Sequence, residues 1–396
     1  MACVLQEPEP QAPAICDHMP TILGYLEEHQ VVVVSAEPGS GKSSVLPRCL
    51  VNSGYGPVIC AQPRHFAATV AWAKAGEEWE SDVVFTTTRL LLDAFCARTA
   101  VLASFGAVVI DEAHDRTLCT DVLLGMIRAA VATGKMGHLR VVVCTAGGPA
   151  DGVLSGFFGV PIVAFQRAVH PVEVHYSRGP MLDMVGAVIE EVAGIHKSKP
   201  PGDVLAFLPE VVHVEEAYHR LRQLGLPGLV ACRIHDHLPA ELMGDALDPA
   251  PGGSRKVVLA TDVAETAVLV PGIKYVVDTG VLSEEPLVKI SKEAANRRSA
   301  VASTASPGHC HRLYTQDEYA AFDEHNVPLI SRDGAHFMFA LLLKRHAADG
   351  MPGFEFLDPS VAPALESVVD QLIAAGYLDK HGNLTEKGER EAYDED

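Results

Sequence analysis

No C-x-x-C pair occurs among the nine cysteines, so neither a disulfide framework nor a zinc site is indicated. A reducing compartment, cytoplasmic or nuclear, is therefore the expectation. No apolar run approaches the roughly 18–20 residues that a membrane span requires, and the valine run at 31–34 has the length of a buried strand instead. The N-terminus lacks the basic, apolar, small-residue order of a signal peptide, and no membrane partner is expected. Positive charge is scarce: 31 Lys and Arg stand against 51 Asp and Glu, a formal net charge of −20. Such a chain does not hold nucleic acid by bulk electrostatics. A grip on a strand has to come from a few amides, hydroxyls and arginines gathered in one cleft.

What the chain does have is room for two or three domains in 396 residues, with an ordinary balance of 48% hydrophobic and 21% charged side chains. Residues 1–15, rich in Pro and Glu, read as a loose tail. Then VVVVS at 31–35 leads into AEPGSGKS at 36–43: a buried strand, a Gly-rich turn and a helix start. This is the order of a P-loop. Gly39 and Gly41 let the backbone curl so that its N–H groups, with those of Ser40 and Ser44, point at phosphate oxygens. Lys42 reaches the β- and γ-phosphates, and the Ser43 hydroxyl ligates Mg²⁺. Ala36 stands where the general pattern has its first Gly, ahead of the tight part of the loop.

Downstream, AVVIDEAH at 107–114 is an apolar strand ending in two carboxylates. A strand end places Asp111 beside the P-loop, where with Glu112 it completes a Mg²⁺ site. Glu112 then orients and deprotonates the attacking water, and His114 joins the catalytic set. ATP or another NTP, with Mg²⁺, is the expected cofactor.

The stretch VVIDEAHDRTLCTDVLLGMIR at 108–128 resembles DEAH-box superfamily-2 RNA helicases almost residue for residue. The resemblance implies an α/β fold of two RecA-like parallel-sheet P-loop NTPase lobes, followed by a small α-rich winged-helix domain. It covers most of the chain. AQPR at 61–64 is similar to the family's T-Q-P-R, implying that Pro63 and Arg64 meet the RNA backbone, and Thr86 falls at a second phosphate-contacting threonine. HPVEVHY at 170–176 resembles the strand that opens the second lobe. DVLAFLP at 203–209 is similar to the family's motif IV. RKVVLATDVAET at 255–266, then PGIKYVVDTG at 271–280, is the fullest match; it implies RNA contact by Thr261 and a nucleotide-sensing role that includes Asp278. The lobes are expected over 16–166 and 167–326, and the winged helix, packed against the motor, over 327–396 with an acidic tail. Its L-T-x-x-G turn falls at Leu384, Thr385 and Gly388. Single-stranded RNA is the expected partner, with DNA left open and a protein cofactor a further expectation.

The departures fall on functional positions. The family's motif VI, Q-R-x-G-R-x-G-R, carries arginines that stabilise charge on the γ-phosphoryl group. The DEAH register puts Val301 and Thr304 at the later two; a register shifted by one, closer to viral helicases, puts Ala300 and Ser303 there. Arg297 and Arg298 remain as catalytic candidates. The coupling S-A-T has become Thr145-Ala-Gly147, and the Arg and Phe that clamp adenine correspond to Lys74 and Leu247. Only nine residues separate Gly280 from Ile290, where the family has a longer hairpin. The chain thus resembles a shortened, divergent member, of viral origin or from a GC-rich genome. Two functions stay open: an RNA-dependent NTPase and helicase, or a catalytically impaired pseudo-helicase that binds nucleotide and RNA as a scaffold. A P-loop kinase or transporter ATPase would explain neither the second lobe nor the winged helix.

Overall fold

Buried valine runs set the architecture. In VVVVSA, AVVI and RVVVCT almost every side chain is enclosed, the pattern of strands inside a parallel sheet with both faces covered. The structure, a computed structural model, describes residues 13–64, 67–69, 82–96, 102–134, 136–166, 170–239, 242–266, 269–283, 287–304, 306–332, 334–346 and 354–392.

The first sheet contains β1 (Val31–Ala36), β2 (Val58–Gln62), β3 (Val83–Thr87), β4 (Ala107–Ile110), β5 (Arg140–Thr145) and β6 (Ile162–Phe165). Their order is β3-β2-β4-β5-β1-β6, with every neighbouring pair parallel. The second sheet contains β7 (Val172–Tyr176), β8 (Asp203–Phe207), β9 (Leu229–Ile234), β10 (Arg255–Ala260) and β11 (Ile273–Asp278), joined by a later strand. A small hairpin, β12 (Val281–Ser283) with β13 (Val288–Lys289), precedes that strand, β14 (Gly308–Arg312). The second sheet is also fully parallel, in the order β7-β14-β11-β8-β10-β9. Two lobes built on parallel sheets are thus present as the valine runs predict. Residues 167–169, where the first lobe was expected to give way to the second, lie outside the described residues, as do Lys74 and the acidic tail at 393–396.

The structure departs from expectation at three places. The tail ends sooner than 1–15, because Ile15 is fully buried and its N–H donates to the Ser40 carbonyl at 3.1 Å. A helix over Ile15–Glu28 thereby forms the floor of the phosphate loop. The regular helix after that loop begins at Leu46 rather than Ser43 and runs only to Leu50. The Val45 N–H already donates to the Gly41 carbonyl at 2.8 Å, but Pro47 has no N–H to give the Ser43 carbonyl, so the α-helical ladder is interrupted there.

The third departure is in the C-terminal unit, whose wing is reduced to one antiparallel bridge, Leu378 with Leu384. The L-T-x-x-G turn itself forms for a clear reason. The Thr385 hydroxyl accepts from the Gly388 N–H at 3.2 Å to cap the helix Glu386–Glu391, and a Cβ at position 388 would lie 2.1 Å from the Tyr377 carbonyl oxygen. This unit has no separate core. Phe339, Leu341, Leu365 and Leu372 pack into the same cluster as Val122, Ile127 and Val143 of the first lobe. The closest approach is at Gly125, where a Cβ would meet the Phe354 ring at 2.1 Å. Arg128 pairs with Glu355 at 2.8 Å across the same seam.

Candidate nucleotide and nucleic-acid cleft

Parallel α/β sheets present ligands at the carboxyl ends of their strands, and the expected site residues fall there. After β1 the chain turns through Gly39 (φ 79°) and Gly41 (φ 102°), a left-handed geometry that favours glycine. A Cβ at Gly41 would lie 2.8 Å from the Ile15 side chain, so the close approach demands glycine as well. Lys42 is buried, and its ammonium donates to the Ala36 carbonyl and, at 3.2 Å, to that of Glu37. Among the described residues no carboxylate pairs with it. Ser40 is fully buried with its hydroxyl unpartnered, while Ser43 and Ser44 are half-buried.

Asp111 and Glu112 follow β4 and are both buried, Glu112 in a left-handed turn at φ 48°. Gln62 at the end of β2 donates to Asp111 at 2.8 Å. One Glu112 carboxylate oxygen is buried without a hydrogen-bond partner, and burial beside Asp111 pushes its carboxyl well above the usual carboxylate range. Burial likewise raises Asp115 to about 6. Opposite these acids, burial with Arg297 and Lys42 nearby lowers His114 to about 3, so its ring is neutral at physiological pH. Its Nδ1 accepts from the Ala146 N–H at 3.3 Å, which leaves the proton on Nε2. That atom lies 3.5 Å from Glu112 and 3.6 Å from Asp115. His114 is thus hydrogen-bonded to the Thr145–Ala146–Gly147 turn and stands beside the carboxylates without a hydrogen bond to either. A buried ammonium satisfied only by loop carbonyls, an orphaned hydroxyl and an orphaned, proton-raised carboxylate form a donor set that fits a Mg²⁺–triphosphate.

The second lobe closes the cleft with the helix Lys292–Ala300, capped by the Ser291 hydroxyl. Arg297 faces the cleft and is held by Glu265 at 2.9 Å and Glu293 at 2.8 Å. Glu293 sits over the first lobe's Gly148, where a Cβ would lie 2.5 Å from its carboxylate oxygen. The cavity between the lobes measures about 310 Å³, the lower end of cofactor-sized pockets. Glu37, Pro38, Ala146 and Gly148 line one side; Arg297, Ala300, Val301 and Thr304 line the other. Ser303 is buried behind them, its hydroxyl donating to the Ala300 carbonyl at 2.6 Å. Of the two motif VI registers, the one using Val301 and Thr304 places both positions on the cleft.

Two expectations need correction. Arg298 and Asp278 do not face the cavity. They form a buried pair at 2.9 Å, with Arg298 also on Glu265 at 3.0 Å and over the Phe207 ring. Asp278 takes a further hydrogen bond from the Tyr314 hydroxyl at 2.8 Å. Their charges are consumed inside the lobe, where they hold Glu265 and hence Arg297 in place. Arg298→Ala would leave Asp278 and Glu265 buried without this cation. A loss of about 3–5 kcal/mol in second-lobe stability is expected, read by chemical denaturation. Leu247 packs against the second-lobe core rather than lining the cavity.

The RNA-binding candidates cluster on the other side of the seam. Pro63 and Arg64 follow β2, half-buried Thr86 lies near the end of β3, and buried Thr261 follows β10 with its hydroxyl unpartnered. Arg64 crosses between the lobes, giving Asp262 two hydrogen bonds at 3.1 and 2.7 Å and Asp236 one at 3.0 Å. Reading the sequence missed these acidic partners, along with Glu265, Glu293 and Gln62. Gln62, Asp262 and Glu265 sat inside segments already quoted, whereas Asp236 and Glu293 did not.

With this geometry in hand, similarity to known proteins can be placed. The helicase conserved C-terminal domain family matches residues 184–291. The chain is 32% identical, over 93% of its length, to the pre-mRNA-splicing factor ATP-dependent RNA helicase prp22 of Schizosaccharomyces pombe. The chain is thus similar along nearly its whole length to part of an ATP-dependent RNA helicase. It also shares its fold with the DEAH/RHA helicase HrpB of Escherichia coli, at a TM-score of 0.81 over 95% of this chain and 23% identity. It spans 35% of the splicing helicase and 52% of the bacterial one. Among the described residues no helix is long and apolar enough to cross a membrane.

Proposed function

We propose that the chain is a slow NTP-hydrolysing motor of the DEAH type that acts on RNA. The observation that carries this reading is the opposition of two lobes across one cavity: the phosphate loop's Glu37 and Pro38 line one side and Arg297 the other, with Lys42, Asp111 and Glu112 buried on the first lobe and Lys42 and Arg297 both acting on the Glu112 carboxyl. Gly39 to Ser44 and Lys42 would hold the phosphates, while Ser43 and Asp111 would hold Mg²⁺. That ion supplies neutralisation of charge on the β- and γ-oxygens. Glu112, whose carboxyl is raised above the usual carboxylate range by burial beside Asp111, accepts the proton of the attacking water. His114, hydrogen-bonded to the turn beneath Glu293, places its Nε2 3.5 Å from Glu112. Arg297 is the cation on hand for the developing phosphoryl charge, and its two carboxylate partners must loosen for it to serve.

Arg64, Thr86 and Thr261 meet the strand's phosphates. Without RNA, Arg64 is spent on Asp262 and Asp236. A phosphate has to displace those acids, so binding is weak and, with few contacts, has a shallow salt slope. A second reading, a scaffold that closes on nucleotide without turning it over, is favoured by one observation: Val301 and Thr304 leave the cavity wall without cations where the family has arginines.

Steady-state hydrolysis of ATP and GTP, with and without single-stranded RNA at low salt, separates the two. The motor reading expects slow, Mg²⁺-dependent turnover that RNA stimulates. Affinities for ATP and GTP should agree within about tenfold, or about 1.4 kcal/mol, because among the described residues no Arg–Phe pair lines the cavity to clamp a base. Nucleotide binding with no turnover under any of these conditions establishes the scaffold instead.

A further inference from the structure

On the far edge of the second lobe, away from the cleft, strand register gathers three potential metal donors. Glu173 and His175 alternate on edge strand β7, opposite His309 and His311 of β14. The side chains at 173, 175 and 309 each offer one donor atom, and those atoms all lie within 4.8 Å of one another. Glu173 Oε2 is 3.3 Å from His309 Nδ1, and Glu173 Oε1 is 3.6 Å from His175 Nε2. Donors at the edges of a tetrahedron with bonds of about 2.1 Å stand roughly 3.4 Å apart, so both spacings are those of ligands around one ion.

The second observation is chemical. His175 Nε2 and His309 Nδ1 are buried ring nitrogens with no hydrogen-bond partner in the described structure, and so is Nε2 of the adjacent His311. Three orphaned imidazole nitrogens in one patch are costly unless something accepts their lone pairs or protons. The rings are also held in place. His309 stacks on Tyr275 with centroids 5.4 Å apart, and His175 stacks on His309 at 5.8 Å and lies against His311 at 4.9 Å. His311 is braced by Glu191, whose carboxylate is 2.6 Å from Nδ1, the carboxylate–imidazole arrangement that orients metal-binding histidines. Burial lowers His175 and His309 from the ordinary histidine value, which favours the neutral, metal-binding form.

We propose that Glu173, His175 and His309 form a site for one divalent transition-metal ion of the zinc class, with His311 beside it completing or bracing the coordination. Two imidazoles and a carboxylate suit borderline ions such as Zn²⁺ and disfavour Mg²⁺, which prefers oxygen ligands and water. The site has no part in the cleft. It clips β7, the first strand of the second lobe, to β14 just after the segment that joins the lobes. Its function is therefore structural. Cysteine spacing could not signal it, because its donors are imidazoles and a carboxylate that meet only when distant strands pair.

The test titrates the full chain with Zn²⁺ against a chromophoric chelator, in excess Mg²⁺ so that the phosphate-loop site is masked, and follows ligand-field absorption with Co²⁺. One ion should bind with micromolar or tighter affinity and raise the melting temperature. His175→Ala, His309→Ala and the conservative Glu173→Gln should each weaken binding by about tenfold or more. His219→Ala, an exposed histidine on a neighbouring helix, should leave it unchanged. Circular dichroism in the presence of chelator confirms that each variant is folded. Absence of stoichiometric Zn²⁺ binding by the wild type overturns the proposal. So does binding that survives the combined His175→Ala and His309→Ala change.

Discussion

Val301→Arg combined with Thr304→Arg is expected to raise kcat for NTP hydrolysis by about tenfold or more, with little change in KM. Both positions line the cavity opposite Pro38 and Ala146, where guanidinium groups would face the transferring phosphoryl group. Charge on that group grows in the transition state, so a cation placed there stabilises the transition state more than the bound substrate. Arginines in this role are worth on the order of 10³–10⁵ in rate where they have been removed and restored. The gain here is set lower, because Val301 is also part of the second-lobe core and an arginine there strains the packing. The comparison pair, Ala300→Arg with Ser303→Arg, should give a smaller gain, since only Ala300 lines the cavity and Ser303 is buried behind it. Steady-state kinetics with melting curves on both pairs checks this. A comparison pair that outperforms the first would reverse the register.

Lys42→Ala is expected to take nucleotide binding below detection, a fall of about a hundredfold or more. The lysine is buried, and its ammonium is held only by the loop's own carbonyls. Incoming phosphate oxygens replace those carbonyls with charge-assisted hydrogen bonds, which are stronger than neutral ones. The site therefore depends on this one cation. Lys42→Met keeps most of the buried stem and should lose binding equally, which separates loss of charge from loss of packing. Titration with a fluorescent nucleotide analogue reads both variants. Affinity unchanged from the wild type would place the phosphates elsewhere.

What the sequence revealed and what it hid follow one physical division. Strand runs such as 31–36, 107–110 and 255–260 are legible because burial on both faces leaves a continuous apolar string. Gly39, Gly41, Lys42, Asp111 and Glu112 are legible because phosphate chemistry fixes their spacing along the chain. Partners across space have no such spacing. Asp262 and Asp236 on Arg64, Glu265 and Glu293 on Arg297, and the burial of Arg298 with Asp278 are set by how two lobes meet and how one lobe packs. Motif position alone could not show that Arg298 and Asp278 pair with each other in the lobe interior. Pro47, visible all along, interrupts the helix after the phosphate loop because a missing N–H outweighs the motif's usual form.

The core shared by the first lobe and the C-terminal unit has a consequence for synthesis. The helix Leu118–Ala132 presents apolar side chains to Phe339, Leu341 and Leu365, which lie more than a whole lobe further along the chain. At roughly 5–20 residues per second, a ribosome takes on the order of 10–40 s to make the intervening stretch. Throughout that interval the nascent first lobe carries an uncovered greasy flank, a natural landing place for chaperones. The second lobe, with clusters of its own around β8, β10 and β11, can fold during the wait. The first lobe is thus finished only after the second has been made.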